Sequence, residues 1–333
     1  MFGMSLTQQT LLPLSILAAA LPALAYTMLI YWADRYEKEP AWLLAATFLW
    51  GAVPAALLAL IANALFSLPL FVIFNPETAQ AIAGVTIAPL VEETAKAIAL
   101  FLIFFFWRQE IDSLLDGIIY GAMVGMGFAM VENIFYFYTG FLESGSEGWN
   151  ALVLVRAILF GLNHALYTSM TGLGLAISRL STDKLVRWLA PLLGWAAAVT
   201  FHAVHNLAVT VQLPGAYLVA LLLDWGGVLL TAFIIFGALH QERRWMKTYL
   251  AEEVRLGTLS AEQYELCRSS LRRGRFRLGQ LLTAGPAAYR RYGKLYQRYS
   301  ELAYQKHHQT LFKDAKSAKA IVQLRTEIAG LAA

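Results

Sequence analysis

The chain has 333 residues, of which 58% are hydrophobic and only 14% charged, with a mean hydropathy of +0.54. Soluble domains carry charge on roughly a quarter of their residues, so this composition excludes an ordinary water-soluble fold and implies a polytopic membrane protein. The formal charge of +4 is unevenly spread, because residues 240 to 333 hold 18 of the 26 Lys and Arg but 8 of the 22 Asp and Glu.

In chain order, seven segments are long and apolar enough to cross a hydrocarbon core of about 30 Å: 11 to 32, 42 to 66, 80 to 107, 116 to 138, 151 to 177, 188 to 211 and 217 to 239. Backbone groups must be satisfied internally in lipid, so the spans are expected to be helices. The expected fold is all-α: a polytopic membrane bundle of seven to eight transmembrane helices over residues 1–240, followed by a basic, helical cytoplasmic tail over 241–333. Ala23-Leu24-Ala25 faintly resembles a signal-peptide cleavage site, but no basic region precedes it and the apolar run continues to Trp32, so cleavage is not expected. Pro13, Pro22, Pro54, Pro89 and Pro191 are expected to kink or end helices. "LFSLPLFVIFNPE", 65 to 77, reads as an interfacial or re-entrant piece, and "TGFLESGSEGWN", 139 to 150, as a flexible polar loop.

Loop charges set the expected orientation. Arg35, Lys38, Arg108, Arg179, Lys184 and Arg187 fall in the loops after spans one, three and five, whereas the alternate loops and the N-terminus carry no Lys or Arg. By the positive-inside rule the N-terminus is outside and the tail is cytoplasmic, in a multi-pass cell-membrane protein. In the tail, Ser260 with Gln263 has a capping-box pattern. Tyr289, Tyr292, Tyr296 and Tyr299 form one helix stripe, read as packing surface and not as a nucleic-acid platform. The charge run reads as a solvated face, with anionic lipid or a cytoplasmic partner as the alternative. Cys267, the single cysteine, excludes an intrachain disulfide.

Ionisable residues inside a span cost at least ~2.5 kcal/mol each and usually face the bundle interior. Here they are dense: Glu92, Glu93 and Lys96; Glu132 and Asn133; Arg156; Asn163 and His164; His202, His205 and Asn206; and Asp224. At 1.5 Å per residue, Glu92, Glu132, His164 and His202 fall roughly 9 to 20 Å from the outer ends of their helices. Groups from four helices can therefore meet at one depth. Glu92 and Lys96 are four apart and are expected to pair, which leaves Glu93 about 100° around the helix for another task.

Such a set suits hydrolysis, with a carboxylate as general base and imidazoles or an amide holding water or an oxyanion. Two histidines and a carboxylate also suit a catalytic Zn2+. With no H-E-x-x-H present, that metal reading rests on residue types alone. A proton- or ion-coupled transporter would bury the same groups, although no internal repeat or pair of broken helices is evident. Arg156 and Asp224 read as a structural pair or as snorkelling groups.

The blocks "VEETAKA", "FAMVEN", "HALYT" and "FHAVHN" make residues 25 to 240 resemble the PrsW family of intramembrane proteases. That family is similar in motif plan to the CAAX prenyl endopeptidase and bacteriocin-immunity superfamily. The resemblance implies catalytic Glu92 and Glu93, with Glu132, His164 and His202 completing the site. Relative to the CAAX branch, Glu132 stands for histidine and Lys96 for arginine, which turns the expectation from prenylated proteins toward membrane-anchored regulators such as anti-sigma factors, cut on the extracytoplasmic side. The assignments are Glu93 as base, Glu92 as its lysine-paired partner, Glu132, His164 and His202 as holders of water or metal, and Asn206 as oxyanion donor. Exchange of the two glutamates' roles is left open.

Overall fold

The computed structural model describes residues 6–211 and 213–332, and every element among them is helical. The helices are α1 (Leu6–Ala33), α2 (Ala41–Trp50), α3 (Ala56–Ile73), α4 (Pro76–Ile82), α5 (Ala88–Phe106), α6 (Leu114–Leu152), α7 (Asn163–Leu180), α8 (Lys184–Val211), α9 (Pro214–Arg255), α10 (Ala261–Cys267), α11 (Ser270–Phe312) and α12 (Ala315–Ala332). The chain is an all-α polytopic membrane protein. Five helical stretches are long and apolar enough to cross a membrane by length and composition. One of them, 114 to 180, contains two helices, α6 and α7. The run through α5 is not among the five, and Glu92, Glu93 and Lys96 fall within five residues of it.

The structure divides into two compact units, residues 1–33 with 40–233, and residues 34–39 with 234–333. In the first unit, polarity is inverted relative to a soluble protein. Val72, Trp188, Phe105 and Phe106 are exposed, whereas Glu92, Glu93, Lys96, His202 and Asp224 are buried. Hydrocarbon solvates the outside of such a bundle, so small residues that let backbones touch take over the packing. Gly117 of α6 lies against Gly172 of α7, Gly121 against Thr168 and Ser169, and Gly125 against His164 and Ala165. One series rises as the other falls, so α6 and α7 run antiparallel, and a Cβ at any of these glycines would strike the opposing backbone.

Wide π turns interrupt the helices at Gly51–Ala55, Ala83–Ile87 and Val153–Leu159. Pro54 sits inside the first of these. Pro89 falls in the first turn of α5, directly after the π turn at 83–87, and the carbonyl of Gly84 in that turn accepts from Asn206 instead. Pro13, Pro22 and Pro191 also lie within helices and do not end them.

Two loop expectations are corrected. Residues 65 to 73 are no re-entrant piece but the last turns of α3, and only Phe74 to Asn75 break before α4, whose first turn Asn75 caps through Thr78 N–H at 2.9 Å. Likewise 139 to 150 is helix with one break at Gly145, whose φ of +66° is a conformation that L side chains rarely adopt. Sequence polarity there marks a bend and not a flexible loop.

The second unit has an ordinary apolar core of Trp245, Met246, Leu250, Leu295, Tyr296, Tyr299 and Leu302, joined by Tyr36 of the 34–39 loop. Ser260 and Gln263 form the capping box of α10, with bonds of 3.2 and 2.7 Å. The tyrosine stripe does pack: Tyr296 and Tyr299 are buried and Tyr292 meets the Phe276 ring edge-on at 5.0 Å. Arg273 is buried here and donates to the backbone carbonyls of Arg35 and Tyr36 and to Ser300 Oγ.

Candidate active site

Helical spacing puts Glu92, Glu93 and Lys96 on adjacent faces of α5, all buried. Lys96 Nζ lies 2.7 Å from Glu93 Oε1 and 3.8 Å from Glu92 Oε2. The expected Glu92–Lys96 pair is present but is the longer one: Glu93, three residues away, is the lysine's closer partner, its other partners drawing the carboxylate into the same core. Glu93 Oε1 also accepts from His202 Nδ1 at 3.0 Å and Oε2 accepts from Thr168 Oγ at 3.0 Å. Glu92 makes one long contact of 3.5 Å from Asn63 Nδ2, and its buried Oε2 has no hydrogen-bond partner. Of the two carboxylates, Glu92 retains an acceptor that the protein leaves unfilled.

The histidine tautomers follow from their neighbours. An ammonium has only protons to offer, so His164 Nδ1, 2.9 Å from Lys96 Nζ, must be the acceptor, and Nε2 carries the proton donated to Glu132 Oε2 at 2.9 Å. A carboxylate accepts, so His202 Nδ1 carries the proton given to Glu93, and His202 Nε2 is the bare nitrogen, 3.9 Å from Glu92 Oε2. Lys96 Nζ also lies 3.9 Å from the Phe128 ring centroid, and Phe128 packs on His164 at 5.4 Å. The phenylalanine one helical turn before Glu132 thus forms the floor under the ammonium.

Glu132 is engaged by Arg156 at 2.6 Å as well as by His164. Arg156 therefore pairs with Glu132 and not with Asp224, which instead holds His205 Nδ1 at 2.6 Å. Asn206 donates from Nδ2 to the carbonyl of Gly84 at 2.8 Å. Glu92, Glu132, His164, His202, His205 and Asn206 all border a cavity of ≈ 560 Å³. Glu93 and Lys96 stand behind that wall, fully buried.

The site residues inferred from sequence thus converge from α5, α6, α7 and α8. Ligand atoms of Glu92, His164 and His202 lie within 4.8 Å of one another. It differs from the sequence-based grouping of Glu132, His164 and His202 in one member, Glu132 being bound here by a guanidinium and an imidazole. The residue types suit a divalent metal, two imidazoles and a carboxylate with an unsatisfied oxygen, with His164 Nδ1 taken by Lys96 Nζ in this arrangement. Behind them, Glu93 on the far nitrogen of His202 and Glu132 on that of His164 are the carboxylate–histidine partners that orient metal ligands.

Sequence reading missed Asn63, the only polar side chain among nine apolar neighbours in "LLALIANALF", and that isolation was the signal for it. Tyr167 was also missed; its ring stacks on His202 at 5.1 Å.

A model of the PrsW family of intramembrane metalloproteases matches residues 39–239. This chain belongs to the PrsW family. It is therefore an intramembrane protease, and the transporter alternative loses its support. The Protease PrsW of Oceanobacillus iheyensis is 30% identical over 194 residues, covering 58% of this chain and 82% of the relative. Protease PrsW of Bacillus subtilis is 30% identical over 175 residues, covering 52% and 73%. That of Geobacillus kaustophilus is 28% identical over 177 residues, covering 51% and 68%. No solved structure matches.

Proposed function

We propose that this protease cuts membrane-anchored regulatory proteins of the anti-sigma-factor type near the extracytoplasmic face, with Glu92 as the base that activates water. The observation that carries the reading is the orphaned, buried Oε2 of Glu92, facing His202 Nε2 on the wall of a membrane-embedded cavity. A positioned carboxylate of this kind can take a proton from water as the oxygen attacks a peptide carbonyl. Glu93 acts differently. Its three partners hold it fixed, so it sets the His202 ring and neutralises Lys96.

Ligand atoms of Glu92, His164 and His202 are close enough to hold Zn2+, but His164 Nδ1 would first have to be released by Lys96 Nζ, and a Glu92 oxygen bound to the ion would not take the proton, so the metal stands as the alternative to Glu92 as base. When bound, such an ion supplies Lewis-acid polarisation of the carbonyl and makes water more acidic. Asn206 has a second amide proton beyond the one given to Gly84, and from the cavity wall it can donate to a developing oxyanion. Positive loop charges support an outside N-terminus and a cytoplasmic tail, which sets the cut where a substrate helix leaves the outer leaflet.

The test is reconstitution in liposomes with a single-pass anti-sigma-factor substrate, scored by N-terminal sequencing of the product and by metal content. The wild-type protein should generate a new N-terminus near the outer leaflet, and Glu92→Gln should generate none while folding normally. On the metal alternative, bound zinc should fall on His164→Ala or His202→Ala and persist on Asn206→Ala. A Glu92→Gln protein that cuts at the wild-type rate would reject the assignment of the base. Activity unaffected by full chelation would reject the metal.

A further inference from the structure

A second buried charge cluster stands beside the first and takes no part in the roles assigned above. Asp224 of α9 is 2% exposed and accepts three hydrogen bonds. Its Oδ2 receives His205 Nδ1 at 2.6 Å and Asn163 Nδ2 at 3.0 Å, and its Oδ1 receives the Tyr167 hydroxyl at 3.0 Å. Three donors on one carboxylate leave the His205 ring little choice: Nδ1 carries a proton, and Nε2 is the other working atom. Phe160 meets that ring edge-on at 4.9 Å and fixes its plane.

The position of the ring is what gives it a use. His205, Asn163 and Tyr167 all border the cavity that Glu92, His164 and His202 border, with Asp224 behind them. Tyr167 links the two clusters, with its hydroxyl on Asp224 and its ring on His202. A buried carboxylate needs several donors, and what distinguishes this one is where its donors sit. Here the donors converge to set one imidazole on the wall of the reaction cavity, the base-and-orienter arrangement of acid–base catalysts.

We propose that His205, oriented by Asp224, is the general acid that protonates the leaving nitrogen during peptide cleavage. The inference rests on Glu92 as the base. Water's oxygen forms the new bond to the carbonyl carbon while one water proton passes to Glu92. The C–N bond breaks with its electron pair on nitrogen, which takes the Nε2 proton of the His205 imidazolium. The ring is left neutral, its remaining proton on Nδ1 and still donated to Asp224, and cavity water returns the proton held by Glu92 to Nε2. Products are a carboxylic acid and an amine, and the protein is restored. Asp224, Asn163 and Tyr167 are positioning residues in this scheme.

The experiment compares leaving groups. The probes are a synthetic single-pass peptide cut by the wild-type protein in liposomes, its cut site mapped by mass spectrometry, and the same peptide with an ester at that bond. An alkoxide leaves with far less need of a proton than an amine does. His205→Asn retains a donor to Asp224 at the Nδ1 position and removes the Nε2 acid. It should slow amide cleavage by about 100-fold, the lower range for loss of an acid–base group, and leave ester cleavage within a few-fold. Asp224→Asn should lower kcat on the amide with KM unchanged and also spare the ester. Glu92→Gln should slow both probes. If it does not, the base assignment fails, while the leaving-group selectivity of His205→Asn still reads the acid separately. Equal slowing of amide and ester by His205→Asn, or no slowing of the amide, overturns the proposal. Should His205→Asn fail to fold, His205→Gln makes the same comparison, and unfolding of both variants would mark the pair as structural and overturn it as well.

Discussion

Neutralising either glutamate of the α5 pair should abolish or impair cleavage, but the two changes should differ sharply in stability. Glu93 is fully buried and accepts from Lys96, His202 and Thr168 at 2.7 to 3.0 Å. Glu93→Gln breaks a buried ion pair and leaves the Lys96 ammonium without its nearest counter-charge, with Glu92 still 3.8 Å away. Removal of one partner from such a pair costs about 3–5 kcal/mol. At ~2–4 °C per kcal/mol for a unit of this size, the melting temperature should drop by on the order of 10 °C. Glu92 has a 3.5 Å contact from Asn63, Lys96 Nζ no nearer than 3.8 Å and no hydrogen bond on Oε2, so Glu92→Gln removes a weakly compensated buried carboxylate. Its effect should lie within about 1 kcal/mol of zero, the net worth of an ordinary hydrogen bond. Thermal unfolding of both variants in one detergent, followed by tryptophan fluorescence, measures the difference. Equal melting temperatures, or a larger drop for Glu92→Gln, would refute the division of labour between the two carboxylates.

Other expectations follow from single contacts. Gly125→Val should destabilise by about 3 kcal/mol or more and lower cleavage, because its side chain would strike the backbone at His164, whereas Gly84→Ala, with open space around it, should melt with the wild type. Burial pushes the Cys267 thiol up to about 12, with Arg273 opposing, so maleimide should label the denatured protein and not the native one at pH 7.5; native labelling within minutes would contradict this. Arg273→Leu removes a buried donor from the Arg35 carbonyl and from that of Tyr36, which keeps Ser300 Oγ. At ~1–3 kcal/mol for an unsatisfied buried group, faster amide exchange at residues 35 to 37 should report it.

Much of the candidate site was legible because hydrocarbon leaves little room for accidental polarity. Each buried Glu, His and Asn stood out against an apolar run, and four-residue spacings such as Phe128 with Glu132 and His164 with Thr168 correspond to surfaces now seen in contact. What spacing could not supply was a choice among neighbours. Glu92 and Glu93 both lie within reach of Lys96 by helix geometry, and the decision comes from His202 and Thr168, 109 and 75 residues away. Arg156 was placed with Asp224 by the same shortage of information, since nothing local says that the π turn at 153–159 carries it to Glu132. At the fold level, Gly145 explains why 139 to 150 misled: its neighbours are polar enough for a loop, yet one glycine absorbs the whole bend.

The glycine contacts between α6 and α7 also bear on how a peptide gets in. Glu132 and His164 ride on these two helices, whose backbones touch at Gly117, Gly121 and Gly125. Contacts of backbone on backbone have no rotamers to switch, so along those glycines the two helices move together, and this half of the cavity behaves as a fixed jaw. Entry then falls to the rest of the wall, where Val155, Phe160, Val209 and Tyr217 can turn aside one at a time. The rate of admission is then set by flexible side chains while the catalytic distances on the rigid side stay constant.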